Sequence, residues 1–169
     1  MKRAPGVNEV LGVMTDRPLE VRMEDEKMGR CLEDLAGGRD LRQDYREYLR
    51  RATVSDPAGE AISSLGCDVR RLFNQRLEWF RSACPLSPRT IITVSGRLEE
   101  ALVSSLELWR FYIPLGLVLL RRAQAHGSVR VLAGVAGPPG SGKSVLSALL
   151  AEVINTCPEN GAIRAVTCS

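Results

Sequence analysis

The run Gly137-Pro138-Pro139-Gly140-Ser141-Gly142-Lys143-Ser144 constrains this chain more than any other stretch. It fits G-x-x-x-x-G-K-[ST], a loop that wraps the phosphates of a nucleoside triphosphate. Its setting has the right order. Val131-Leu132-Ala133-Gly134-Val135-Ala136 is a short apolar run that predicts a strand buried on both faces. Val145 to Ile154 predicts a helix. The chemistry follows from the backbone. Glycines let the chain curl so that successive N–H groups point inward and make a nest for phosphate oxygens. The first turn of a helix has N–H groups without intrahelical partners and carries a partial positive charge. Lys143 adds a full charge for the β- and γ-phosphates and is the candidate catalytic residue. The Ser144 hydroxyl is placed to ligand Mg²⁺. Pro138 and Pro139 stiffen the loop's entry, and Val145 opens the helix behind it.

Composition narrows the rest. The 169 residues suffice for one domain or slightly more. A formal net charge of +3 supports no claim of nucleic-acid binding. The five cysteines, Cys31, Cys67, Cys84, Cys157 and Cys168, show no C-x-x-C spacing, and there is one histidine, so free thiols in a reducing compartment are expected rather than a zinc site. The longest apolar run, Phe111 to Leu120, contains Pro114 and is too short to span a bilayer. With no secretory pattern at the N-terminus, a cytoplasmic location is expected.

Upstream of the loop the pattern is mainly helical. Glu20 to Leu35 reads as a helix ended by Gly37-Gly38, and Leu41, Tyr45, Tyr48 and Leu49 recur at helical spacing. Asp56-Pro57 is a helix start. Ile62, Leu65, Val69, Leu72, Phe73, Leu77 and Phe80 give the helix one apolar face, and Cys84-Pro85-Leu86-Ser87-Pro88 ends it. Thr90 to Val94 is β-rich, but no partner strand is evident, and its state stays open. Leu98, Leu102, Leu106, Trp109, Ile113, Leu117 and Leu120 form a stripe that predicts a long helix, kinked at Pro114 and closed near Gly127. After the phosphate-loop helix, Cys157 to Gly161 is a turn, and Ala162 to Cys168 predicts a second strand. The expected organisation is a helical region over 1–127 and the start of a nucleotide-binding domain over 128–169. The expected class is α/β, with the first β-α-β unit of a parallel sheet.

The segment Trp109-Arg110-Phe111-Tyr112-Ile113-Pro114-Leu115, followed by Leu132 to Ser144, resembles the uridine kinase, phosphoribulokinase and pantothenate kinase group. The likeness covers roughly residues 105 to 169 and none of residues 1 to 95. It implies an ATP-binding phosphotransferase that moves the γ-phosphate to the hydroxyl of a small metabolite, with ATP and Mg²⁺ as cofactors. In that group an aspartate after the second strand acts as base. Here that strand corresponds to Ile163 to Cys168, and the aspartate segment does not follow, so the chain reads as the front part of such a kinase, inactive alone. A nucleotide-driven ATPase or switch, or a non-catalytic chain, are the alternatives.

Overall fold

The computed structural model describes residues 19–39, 43–54, 69–125, 130–159, 161 and 163–167. It is a mixed helix and strand structure. Helix α1 runs Leu19–Ala36, α2 Gln43–Val54 and α3 Val69–Ala83; a hairpin of β1 (Arg89–Val94) and β2 (Arg97–Leu102) follows. The chain then winds through a short α4 (Ser105–Glu107), a π-helical turn (Leu108–Tyr112), α5 (Ile113–Ala125) and α6 (Lys143–Asn155). The Asp56-Pro57 helix start and the Gly127 closure lie outside the described residues, as do Ile62, Leu65, Cys67 and Cys168.

Helix α1 ends where its glycines predict. Gly38 has φ +72°, its N–H bonds the Leu35 carbonyl at 3.2 Å, and the Arg39 N–H bonds the Asp34 carbonyl at 3.0 Å. That pair of bonds is the Schellman closure, which needs a left-handed residue and so favours glycine. The face of α3 is also as expected: Leu72, Phe73, Leu77 and Phe80 are buried, joined by Trp79 and by Arg76.

One contiguous core takes residues from both ends of the described chain. Met28, Leu32 and Leu35 of α1, Leu49 of α2, Trp109, Ile113 and Leu117, and Leu149, Leu150, Val153 and Ile154 of α6 belong to one buried cluster. Arg110 pairs with Asp25, tying the π turn to α1.

The stripe from Leu98 to Leu120 is one helix only from residue 105 onward. Arg97–Leu102 is instead the partner strand of β1, in antiparallel register from Val94 opposite Arg97 to Arg89 opposite Leu102. Two features break the helix there. Ser95 and Gly96 have φ of 49° and 77°, the left-handed pair that a two-residue hairpin turn requires. Ser104 caps the next helix: its hydroxyl accepts from the Glu107 N–H at 3.2 Å while the Glu107 carboxylate accepts from the Ser104 N–H at 2.7 Å. Ile92 and Ala101 turn to the core, whereas Leu98 and Leu102 are 78% and 71% exposed.

Pro114, where a kink is expected, follows a π turn in which the Ile113 N–H bonds the Leu108 carbonyl five residues back.

Val131 to Ala136 lies in no strand, and neither do residues 163–167. The only strand pairing among the described residues is the antiparallel hairpin. A strand exists only through its neighbour's hydrogen bonds, so an apolar run without a partner stays an unpaired segment. Leu132 is consequently 94% exposed.

Where α3, α5 and α6 meet, Gly116 admits no side chain. A Cβ there falls 2.5 Å from Cη2 of the buried Trp79 and 3.4 Å from Cγ1 of Ile154. Gly116→Ala gains about 1 kcal/mol of helix propensity. It loses more by overpacking, about 1–3 kcal/mol, because a buried indole cannot swing away. A net fall of several degrees in Tm is expected. A Tm equal to or above wild type by differential scanning calorimetry would refute the close approach.

Candidate phosphate-binding site

The loop is built from local conformations that its sequence permits. Gly140 and Gly142 are left-handed, with φ of 76° and 75°. Gly137 lies close under the loop: a Cβ there would stand 3.0 Å from Oγ of Ser141, close enough that the hydroxyl would have to shift, and 3.6 Å from Cδ of Lys143. The Ser141 N–H closes a turn onto the Pro138 carbonyl at 3.3 Å, and Pro139 lies inside that turn.

Helix α6 begins at Lys143, with Gly142 as its N-terminal cap residue. The Gly142 carbonyl accepts the Leu146 N–H at 2.9 Å. Glycine has no side chain to cap with, so no side chain bonds the first-turn N–H groups from that position. They share the loop end of α6 with the positive pole of the helix dipole.

Lys143 folds back over the loop. Its ammonium Nζ donates to the Pro138 carbonyl at 2.6 Å and lies 3.5 Å from Oγ of Ser141. The cation therefore sits above the same turn that carries the glycines. Ser144 is exposed, while Val145 is half-buried against the core and anchors the first turn of the helix. Thus Gly137, Pro138, Pro139, Gly140, Ser141, Gly142, Lys143, Ser144 and Val145 come together as one loop and helix start. The strand expected to enter it does not form.

Sequence reasoning missed what holds α6 in place. Its apolar side packs on the core along its length, and its side-chain hydrogen bonds to the rest of the molecule gather at the far end. Trp79 of α3 donates its indole N–H to the Val153 carbonyl at 2.9 Å and reaches Oγ1 of Thr156 at 3.2 Å. Gln75, one turn earlier on α3, donates to the Glu159 carboxylate at 2.5 Å and accepts from Arg121 at 3.2 Å. The Asn155 amide bonds both the N–H and the carbonyl of Ala165, at 3.0 and 3.1 Å, taking the place of a strand neighbour. These partners lie 74 and 84 residues apart for α3, beyond the reach of any local pattern. A cleft of about 250 Å³ opens beside this end, between Thr93 of β1, Ala151, Glu152 and Asn155 of α6, and Val166 and Thr167. It includes none of the loop residues.

The described cysteines, Cys31, Cys84 and Cys157, are free thiols. Burial pushes the Cys84 thiol up to about 11 and raises that of Cys31 as well, which favours the protonated thiol over the thiolate. Among the described residues no helix is long and apolar enough to cross a membrane.

No protein-family model, curated protein or solved structure matches this chain.

Proposed function

We propose that the chain binds Mg·ATP through the loop Gly137–Ser144 and belongs to a P-loop phosphotransferase of the small-metabolite kinase kind. The observation that carries this reading is the conjunction at one helix start: left-handed Gly140 and Gly142, a Gly137 set close under Ser141 and Lys143, and the Lys143 ammonium folded over the turn. A coincidental glycine turn has no need of a lysine at that position. The likeness of Trp109 to Leu115 and Leu132 to Ser144 to uridine kinase, phosphoribulokinase and pantothenate kinase supports a kinase over other loop-bearing nucleotide proteins.

In this reading the first-turn amides and Lys143 hold the β- and γ-phosphates, and Ser144 supplies an oxygen to Mg²⁺. The metal neutralises charge developing on the transferred phosphoryl group. Catalysis of this type is chiefly positioning and electrostatic stabilisation. The second half of the reaction is transfer to a hydroxyl of a small molecule.

Isothermal calorimetry tests the reading, with Mg·ATP titrated into the full chain. Metal dependence is expected to run through Ser144. Ser144→Thr keeps a hydroxyl and should keep the coupling between Mg²⁺ and nucleotide. Ser144→Ala should bind nucleotide with an affinity that hardly changes on adding Mg²⁺. Equal Mg²⁺ dependence in Ser144→Ala and wild type would remove Ser144 from the metal site.

A further inference from the structure

We infer that α3 is the mount of the phosphate loop, with Trp79 and Gln75 as positioning residues that set phosphate affinity from the opposite end of α6. This rests on the phosphate-binding reading for its functional consequence, and on geometry alone for the mount itself.

Two observations join here. The first is how exposed the loop itself is. Residues 130–141 are exposed throughout, and Val131–Ala136 pairs with no strand among the described residues. Along the chain, the loop's regular neighbour among the described residues is the helix it opens. The second is where that helix is fixed. Its buried residues are Ala148, Leu149, Leu150, Val153 and Ile154, all beyond its first turn. Its polar ties, from Trp79 to Val153 and Thr156 and from Gln75 to Glu159, lie at or just past its last turn. Thirteen residues make a rod of about 20 Å. The apolar contacts run along the rod, but its polar ties sit at one end, so a shift of those ties passes along the rod to the loop.

Trp79 suits such a mount. Its ring fills the space that Gly116 leaves open, and its N–H meets a last-turn carbonyl of α6. That carbonyl belongs to the helix's negative pole, so the indole N–H complements it. Gln75 is one turn away on the same face of α3 and bridges Arg121 of α5 to Glu159 beyond α6. Three elements are thus locked where α6 ends, and the loop inherits its placement from them.

The test uses the full chain with Trp79→Phe, Gln75→Ala, Lys143→Ala and a control, Leu49→Ala. Leu49 is buried in α2 and makes none of the polar ties at the end of α6, so its loss lowers stability while leaving those ties in place. Two readouts are needed. Amide hydrogen exchange without nucleotide reports the mount directly. Calorimetry with Mg·ATP and with Mg·pyrophosphate reports the loop. Trp79→Phe keeps most of the packing and removes one donor, so a loss of about tenfold in affinity for both ligands is expected, with faster exchange across α6. Gln75→Ala should act in the same direction, more weakly. Leu49→Ala should lower Tm while leaving affinity within about twofold. Unchanged α6 exchange in Trp79→Phe would overturn the mount. Faster α6 exchange with unchanged affinity would overturn its role in phosphate binding. So would equal losses of affinity in Leu49→Ala and Trp79→Phe, since the effect would then be general destabilisation. Should wild type bind neither ligand, the phosphate-binding reading and the affinity role both fall, and the exchange data alone decide the mount.

Discussion

Lys143→Ala should weaken Mg·ATP binding by about a hundredfold while leaving the fold's stability nearly unchanged. A hydrogen bond to a charged group contributes about 1.5–3 kcal/mol, and a lysine spanning two phosphates makes at least one of full strength. At about 1.4 kcal/mol per decade, the upper part of that range corresponds to about a hundredfold. The loop amides remain in the variant, but partial charges cannot replace an ammonium. Nζ is held by the Pro138 carbonyl at 2.6 Å, so phosphate binding would exchange one oxygen partner for more strongly charged ones. Lys143→Arg should also bind poorly, because a planar fork does not fit where a compact ammonium folds over a tight turn. The wild-type affinity should fall as salt is raised, and the variant's should fall less steeply. Calorimetry at two salt concentrations checks both statements. Equal affinity in wild type and Lys143→Ala would remove the loop from any phosphate-binding role.

What the sequence revealed was what short range can settle. The end of α1 at Gly37-Gly38, the apolar face of α3, the break after Ala83 and the start of α6 at the phosphate loop all depend on residues within a few positions of one another. The hairpin was missed although its signal is equally local. Ser95-Gly96 between two six-residue runs is a two-residue turn, and Ser104 with Glu107 is a capping box that starts the next helix at Ser105. The four-residue spacing of Leu98, Leu102 and Leu106 masked both. Val131–Ala136 failed for the opposite reason. Its composition suits a strand, but pairing is a property of two segments, and one segment cannot report on the other. Trp79 is likewise fixed by acceptors far along the chain. Arg76 lies between these cases. It sits four residues from Leu72 and four from Phe80, on the buried face of α3, and that position alone marks it as a charge inside the core.

Why a guanidinium belongs there follows from Pro114, and this leads to the largest expected loss of stability. In the π turn the Ile113 N–H bonds the Leu108 carbonyl. Continuing that register, the Trp109 carbonyl would take the N–H of residue 114, and proline has none. Arg76 donates to this carbonyl instead and stacks over the Trp109 ring, its Cζ 4.7 Å from the centroid. Burying a charge has its own cost, and exchanging a buried ion for an apolar side chain is often neutral. The backbone decides the sign here. Arg76→Met keeps the apolar stem but strands a buried carbonyl, at about 1–3 kcal/mol, and gives up the cation–π contact, at about 1–2 kcal/mol. The sum, about 2–5 kcal/mol, corresponds to a fall of roughly 10 °C in Tm for a chain of this size. Pro114→Ala supplies the missing N–H. With it, the Trp109 carbonyl gains a backbone donor, directly from residue 114 or from Ile113 if the turn relaxes to an α-helix. Arg76→Met should then cost about 1–2 kcal/mol less in the Pro114→Ala background than in wild type. Urea unfolding of wild type, the two single variants and the double variant measures that coupling. Strict additivity would mean that Arg76 is held for its packing alone, and that the carbonyl left by Pro114 finds its donor elsewhere.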